Sequence, residues 1–354
     1  MTTGAEPLAR EAEGHEGLAL DITPRKLAVF GLFVVLTVVA LYFLLPQIAG
    51  LDKTWKRIQH GRPWWLILGG ILTFGMFAGY VMQFHAIYQT RLGWRESLQI
   101  TMASLAASRL FSAGGAGGLV LQAWALRRAG LDAREVGDRT VCFIVLQYLV
   151  YTLSVVVVGF GLHYGLFNGP DPFAITFVPA VIALVVTAVG LSLGFIPPDL
   201  QKRLDEGRLK RLAQIPASAS AGIRAALRRL TRPDAALVGA IFFWGFQIAV
   251  LWSCFHAFGD APPLAVLVLG FFVGMLGNLL PLPGGIGGVD GGMIGAFAAL
   301  GLPFGLSTVA VLTYRGFTFW LPTIPGVIAF IALRRTIHQW EEDGPPVDGT
   351  PSYT

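Results

Sequence analysis

Apolar residues run through this chain in blocks of about twenty uncharged positions, without the period-two alternation of strands. The uninterrupted blocks are Leu27–Leu45, Trp64–Tyr88, Val141–Leu162, Ala174–Ile196, Ala235–Phe258 and Ser307–Leu333. A helix of about twenty residues rises roughly 30 Å, the thickness of the hydrocarbon core of a bilayer. Each block therefore predicts a membrane-crossing helix. Two further apolar regions, Ser97–Leu126 and Leu264–Leu300, are too long for one comfortable span and are interrupted midway. The first carries Gly114-Gly115-Ala116-Gly117-Gly118, the second Pro281-Leu282-Pro283-Gly284-Gly285-Ile286-Gly287-Gly288. Glycine clusters unwind helices and proline removes an amide donor. Irregular backbone at membrane depth survives only when buried in protein or lining a wet cavity, so the two breaks mark a candidate site.

The breaks are related to each other. Gly114, Gly115, Gly117 and Gly118 match Gly284, Gly285, Gly287 and Gly288 at one offset (284 − 114 = 170). Each is followed by a Gly-Leu turn, at Gly130-Leu131 and Gly301-Leu302, and then by an arginine at the start of, or within, the next span, Arg139 and Arg315. This shared order predicts an internal repeat.

Charge sets the expected orientation. Residues 197–234 hold nine Lys or Arg against four acids, whereas the loops His163–Asp171, Gly259–Pro263 and Gly301–Gly305 hold none. By the positive-inside rule the first is cytoplasmic and the others are outside. Arg25-Lys26, Arg91, Arg95, Arg127, Arg128, Arg134 and Arg334-Arg335 then fall inside, which requires both broken regions to be hairpins that enter and leave on one side. The predicted fold is an all-α polytopic membrane bundle with two re-entrant hairpins (97–128 and 264–301) in an inverted-topology repeat. Its parts are a disordered tail (1–24), a first membrane half (25–196), a basic cytoplasmic linker (197–234), a second half (235–335) and a disordered tail (336–354). Both termini are expected in the cytoplasm and the protein in the cytoplasmic membrane. Lys53, Lys56, Arg57 and Arg62 disagree with the rule, since they fall outside.

Composition agrees with the pattern. Of 354 residues, 54% are hydrophobic and 13% charged, about half the charge of a soluble domain, and mean hydropathy is +0.64. The net charge of +5 reflects cytoplasmic Lys and Arg; no aromatic-interleaved basic stretch points to nucleic acid. Cys142 and Cys254 lie inside apolar blocks and read as packing residues. The six histidines show no metal-ligand spacing, no dinucleotide or phosphate-loop motif occurs, and no cofactor is expected. Gly190-Leu-Ser192-Leu-Gly194 mimics a nucleophile elbow, but that motif needs a strand-to-helix turn, so no catalytic residue is assigned. Small-xxx-small spacings at Gly75/Gly79, Gly270/Gly274 and Gly291/Gly295 predict close helix contacts.

Asp290 is the sharpest residue, standing in an uncharged stretch from Leu264 to Tyr314. A carboxylate at a helix centre costs about 2.5–3.5 kcal/mol on insertion scales, and Arg315 is the expected compensating partner. A purely structural pair, or a helix cap, is the alternative to substrate or proton binding. Arg109 precedes the first break, and either snorkels to the surface or binds phosphate beside the amides of Gly114–Gly118. Asn278 precedes the second. Gln99, Gln122, Gln147 and Gln247 read as amides that tie helices together. In the linker, Ile223, Leu227 and Leu230 share a helical face ringed by Arg224, Arg228, Arg229 and Arg232, which predicts attachment to an anionic lipid surface.

At Asn278-Leu-Leu-Pro-Leu-Pro-Gly-Gly-Ile-Gly-Gly-Val-Asp290, Ala-Leu-Gly-Leu-Pro303 and Tyr-Arg315-Gly-Phe-Thr-Phe-Trp-Leu-Pro, the chain resembles the lysylphosphatidylglycerol synthase transmembrane-region family. That family includes the flippase domain of bacterial multiple-peptide-resistance factors, and the likeness covers about Arg25 to Arg335. Two departures stand out: Asp290 where the family usually has Glu, and an all-glycine first break where it often has Pro and Glu. In two-domain relatives a soluble domain makes the aminoacylated lipid and the membrane domain moves it. Here the synthase domain is expected to be absent, so the resemblance implies transport rather than synthesis, with a possible separate lipid-modifying enzyme as partner.

The resemblance therefore implies a lipid transporter whose substrate meets Asp290, Arg315, Arg109, Asn278 and the amides of Gly114, Gly115, Gly117, Gly118, Gly284, Gly285, Gly287 and Gly288. Two alternatives stay open. One is an intramembrane transferase on a polyprenol-phosphate or lipid headgroup, as some archaeal relatives imply, although Asp290 has no evident acidic partner. The other is a non-transporting scaffold.

Overall fold

The computed structural model describes residues 61–88, 92–110, 116–195, 210–279 and 285–344. The span Leu27–Leu45, the tail Met1–Pro24 and the basic residues Lys53, Lys56 and Arg57 lie outside them. Among the described residues all regular structure is helical, and five helical stretches, one of them the interrupted Phe304–Asp343, are long and apolar enough to cross a membrane. In chain order the helices are α1 (Pro63–Tyr88), α2 (Trp94–Leu110), α3 (Ala116–Arg128), α4 (Ala133–His163), α5 (Phe173–Ser192), α6 (Lys210–Thr231), α7 (Ala235–Phe258), α8 (Leu264–Met275), α9 (Gly288–Ala299), α10 (Phe304–Arg315) and α11 (Thr323–Asp343). The protein is thus an all-α polytopic membrane bundle.

The centre of the bundle is an antiparallel crossing of α1 and α7. The amide of Arg62 donates to the carbonyl of Ala257 at 2.9 Å, and Trp65 stacks on His256 with centroids 4.5 Å apart. Farther along, a side chain at Gly69 would strike Ser253, one at Gly75 would strike Phe246, and one at Gly79 would meet the backbone of Gly239 and Phe243. Lipid tails are as apolar as leucine, so membrane helices associate by close packing rather than by escape from water. The Gly75/Gly79 spacing is how this sequence obtains it. Gly270 and Gly274 do the same for α8, lying against Phe297 and Met293 of α9. Gly291 and Gly295, by contrast, face open space, and it is Gly292 that approaches the carbonyl of Gly274. Gly291→Ala should therefore stabilise the protein by about 0.5–1 kcal/mol through helix propensity alone, read as a rise in thermal midpoint in detergent; a fall would mean the face is occupied.

Side-chain amides tie the helices where the backbone cannot. The Gln147 amide donates to Gln83 at 2.6 Å, and Gln83 donates to the carbonyl of Phe143 at 3.2 Å. The Trp244 indole donates to the carbonyl of Gln147 at 3.0 Å, while Thr336 donates to Gln99 at 2.9 Å. Gln147→Leu should cost about 1–2 kcal/mol, the range of interhelical hydrogen bonds in model membrane peptides, measured by the same melt.

Three expectations need correction. The block Ser307–Leu333 is not one regular helix: α10 ends at Arg315, Gly316–Trp320 forms a π turn, and α11 starts at Thr323 after Pro322. Uniform hydrophobicity concealed the break, although the combined stretch of 40 residues would be about 60 Å long as a straight helix, twice the hydrocarbon thickness. The tail does not begin at residue 336 either. Thr336, Ile337 and Trp340 are buried, α11 runs to Asp343, and Glu341 pairs with Arg128. The linker stripe, finally, is in part packed on protein: Ile223 is buried against Gly194 while Leu227 and Leu230 are half-buried, Gly222 lies on Val141 of α4, and Arg224 donates to the carbonyl of Gly194 at 3.1 Å. At the other end of α6, Arg229 pairs with Asp234, which caps α7 by accepting from Ala236 and Leu237 at 3.1 and 3.2 Å.

Candidate functional site

The site is built on the second broken region. α8 buries Val266, Leu267 and Leu269–Phe272, then tightens into a 3-10 turn over Leu276–Leu279. The chain re-enters α9 through Gly285 (φ +66°) and Gly287 (φ +82°), left-handed positions that glycine tolerates without strain. α8 and α9 lie side by side, close enough that a side chain on Gly277 would run into the backbone carbonyl of Gly288. Asn278 is exposed at the mouth of this fold-back. Its carboxamide oxygen would be 2.5 Å from a side chain at Gly285, so the structure brings Asn278 and the glycine loop together.

Asp290 occupies the third position of α9. Its Oδ2 accepts from the amide of Gly287 at 2.9 Å, the geometry by which an acid at this position closes a helix N-terminus. Its Oδ1 lies 2.7 Å from Nε of Arg315, with side-chain exposures of 8% for Asp290 and 13% for Arg315. The Arg315 guanidinium carbon sits 4.5 Å over the Phe319 ring. Three effects thus hold the charges in an apolar bundle: a backbone donor with the positive end of the α9 dipole, a nearly buried opposite charge, and an aromatic face. Burial of such a pair costs several kcal/mol per ion before the attraction is counted, so its persistence calls for a reason beyond stability.

Features absent from the sequence reading surround the pair. Tyr314 donates to Gln247 at 2.6 Å, anchoring the residue beside Arg315 to α7. The π turn follows at once, with the Leu321 amide donating to the Gly316 carbonyl at 2.9 Å, and it places Phe317 against Gly69 of α1. Such turns recur at functional sites because they re-aim neighbouring side chains. Gly316 and Pro322, bracketing the segment, were the available sequence signal.

The first broken region folds back in the same way but carries different chemistry. A side chain on Gly118 would collide with the carbonyl of Ser104 and the hydroxyl of Ser108, so α3 touches α2 through the residue equivalent to Gly288. Gly117 is half-buried beside it. Gly114, Gly115, Gly284 and the side chain of Arg109 lie outside the described residues. The position equivalent to Asp290 (290 − 170) is Val120, 42% exposed. Arg139 is engaged by Glu135 at 2.6 Å and donates to the carbonyl of Ile87 at 2.9 Å, which ties α4 to α1. Among the described residues, the buried acid–base pair of the two glycine regions belongs to the second alone. Ser192 bonds to the carbonyl of Val189 at 2.7 Å, an ordinary helix-end serine. No group of three or more metal-ligating side chains occurs among the described residues.

Comparison with known proteins places these features in context. Residues 19–326 match the family described as the lysylphosphatidylglycerol synthase TM region. Similar relatives from Methanothermobacter thermautotrophicus (strain Delta H) are described as UPF0104 membrane proteins. One is 36% identical over 89 residues, a quarter of each chain. Another is 24% identical over 328 residues, covering 84% of this chain and 94% of the relative.

Proposed function

The chain belongs to the lysylphosphatidylglycerol synthase transmembrane-region family, and from that premise we propose that it moves a phospholipid or lipid-linked headgroup across the cytoplasmic membrane, using the Asp290–Arg315 pair as the headgroup site. The observation that carries this reading is the ion pair itself, nearly buried in an apolar bundle at the N-terminus of a short helix beside a left-handed glycine loop. Ionisable residues inside membrane helices default to function because they are expensive to keep.

The pair suggests how a headgroup is held. A phosphate competes with Asp290 for Arg315, and an amine on the same headgroup competes with Arg315 for Asp290. A headgroup bearing both replaces the two halves of the bridge at once and leaves neither charge unpaired, whereas one bearing only phosphate leaves Asp290 to the Gly287 amide. Asn278, Gly285, Gly287 and Gly288 supply neighbouring donors, with Gly114, Gly115, Gly117, Gly284 and Arg109 assigned to the path by the repeat, while Gly118 packs α3 on α2.

We take the two halves to be related by an inverted repeat, for which the packing is reciprocal. α1 and α7 cross antiparallel; Gln83 of α1 bonds to Gln147 of α4, and Gln247 of α7 to Tyr314 of α10. α2 packs on α11 through Gly326 and Thr336, and α8 is bonded to α4 where Tyr151 donates to the carbonyl of Phe272 at 2.7 Å. Cysteines placed singly at Arg91 and Gly130 should then label from the cytoplasmic side, and those at Asp260 and Gly301 from the opposite side. Labelling of Arg91 and Gly130 from different faces would overturn the hairpin. Transport itself is read in proteoliposomes as protein-dependent change in headgroup accessibility of labelled phospholipids. A protein that moves none of the phospholipids tested, or an Asp290→Ala variant that transports as wild type, removes the proposal.

A further inference from the structure

On one flank of the bundle, α1, α2 and the start of α11 line an open crevice of about 980 Å³, at the top of the roughly 300–1,000 Å³ typical of small-molecule sites. Phe77 and Val81, Leu98 and Met102, and Pro325 and Ile328 line it. The two uncharged polar side chains in its wall are engaged within the protein: Thr73 donates to the carbonyl of Gly69 at 2.8 Å, and Gln99 accepts from Thr336 at 2.9 Å. Among the described residues, charge enters the lining through Arg95, which is exposed beside Trp94 at the first turn of α2. Trp94 is 59% exposed and stacks on His85 near the end of α1, with centroids 4.0 Å apart. The crevice is therefore amphipathic along its length, with a cationic and aromatic rim and a hydrocarbon body.

From this gradient we infer that the crevice binds a phospholipid, its acyl chains along α1 and α2 and its phosphate on Arg95. Guanidinium groups grip phosphate with two parallel donors, and tryptophan settles at headgroup depth. The open edge carries exposed Phe74, Ile324 and Ile328, so chains can enter sideways from the bilayer. Transfer of a chain from lipid into the crevice gains no hydrophobic free energy; selectivity must come from the rim. The inference rests on the transport reading for its substrate class and adds a second lipid position, separate from Asp290 and Arg315. The turn that follows Arg315 continues into Leu321 and Pro322 of the crevice wall, which makes this a waiting position for lipid on its way to the pair.

The test uses the full chain in nanodiscs of mixed phosphatidylglycerol and phosphatidylcholine, with a photoreactive phenylalanine analogue at Phe77 and, as a bilayer-facing control, at Val185. Adducts at Phe77 should be phospholipid and enriched in phosphatidylglycerol relative to Val185. Arg95→Gln should reduce that enrichment about tenfold, the equivalent of one charge-assisted contact of about 1.4 kcal/mol. Ala78→Trp, which fills the crevice without touching the rim, should remove the phospholipid adduct. Lipid composition equal to that at Val185, or adducts on a second copy or on the Leu27–Leu45 peptide, would overturn the inference. Headgroup movement measured on the same samples separates the two claims: enriched lipid at Phe77 with no transport defeats the transport reading alone, and undiminished transport by Ala78→Trp without its adduct defeats the waiting position alone.

Discussion

Replacing Asp290 by Asn is expected to do more harm than removing both charges together. Asparagine keeps the shape and can still accept from Gly287, but it leaves Arg315 with a side-chain exposure of only 13% and no carboxylate opposite. Breaking a buried pair by removing one partner costs about 3–5 kcal/mol, whereas replacing both partners is often neutral. Asp290→Asn should accordingly lower the thermal midpoint sharply, and Asp290→Asn with Arg315→Gln should recover most of it. Transport should not follow stability. Loss of one member of a desolvated charge pair weakens recognition by about 2–5 kcal/mol, roughly thirtyfold or more in affinity, and the double variant lacks both partners for the headgroup. A stable double variant without headgroup movement is the result expected; one that transports normally would reduce the pair to a structural clamp. Asp290→Glu should retain both properties in large part, since one added methylene still lets the carboxylate meet Arg315.

The membrane class and four of the long helices, α1, α4, α5 and α7, were legible from apolar block lengths, because in lipid every backbone group must be satisfied within its own segment. The pairing of Asp290 with Arg315 was legible for a similar reason: an isolated carboxylate in an apolar run demands a countercharge, and only one basic residue stood near. What could not be read was register. Sequence spacing gave Gly291 and Gly295 the same claim to a helix contact as Gly75 and Gly79, yet only the latter face another helix. The π turn after Arg315 left only a faint trace, Gly316 and Pro322 at its borders, because the residues between them are as apolar as the helices on either side. The basic linker misled in the opposite sense. Its apolar stripe was real, but an amphipathic face does not state whether lipid or protein meets it, and here Ile223 packs on Gly194 just past the end of α5. Gln83, the centre of one amide bridge, carried no signal to distinguish it from a lipid-depth glutamine without a partner.

Gly277 and Gly118 provide the sharpest separation of packing from chemistry. In each helix pair, an added Cβ would strike backbone: the Gly288 carbonyl for Gly277, the Ser104 carbonyl for Gly118. A backbone obstacle cannot swing aside as a side chain does, so the helices must part, and overpacking of this kind costs about 1–3 kcal/mol. Gly277→Ala and Gly118→Ala should therefore lower the thermal midpoint by similar amounts. Their effects on transport should diverge if the site is one-sided. Parting α8 from α9 shifts the first turn of α9, and with it Asp290, away from an Arg315 that is fixed on α10 by the Tyr314–Gln247 bond. Parting α2 from α3 displaces Val120, which carries no charge. Gly277→Ala should then match Asp290→Asn in loss of headgroup movement, while Gly118→Ala retains a rate in proportion to its folded fraction. Equal transport losses in the two variants would mean that the glycine regions work as a symmetric pair, and that the first contributes as much to the lipid path as the ion pair does.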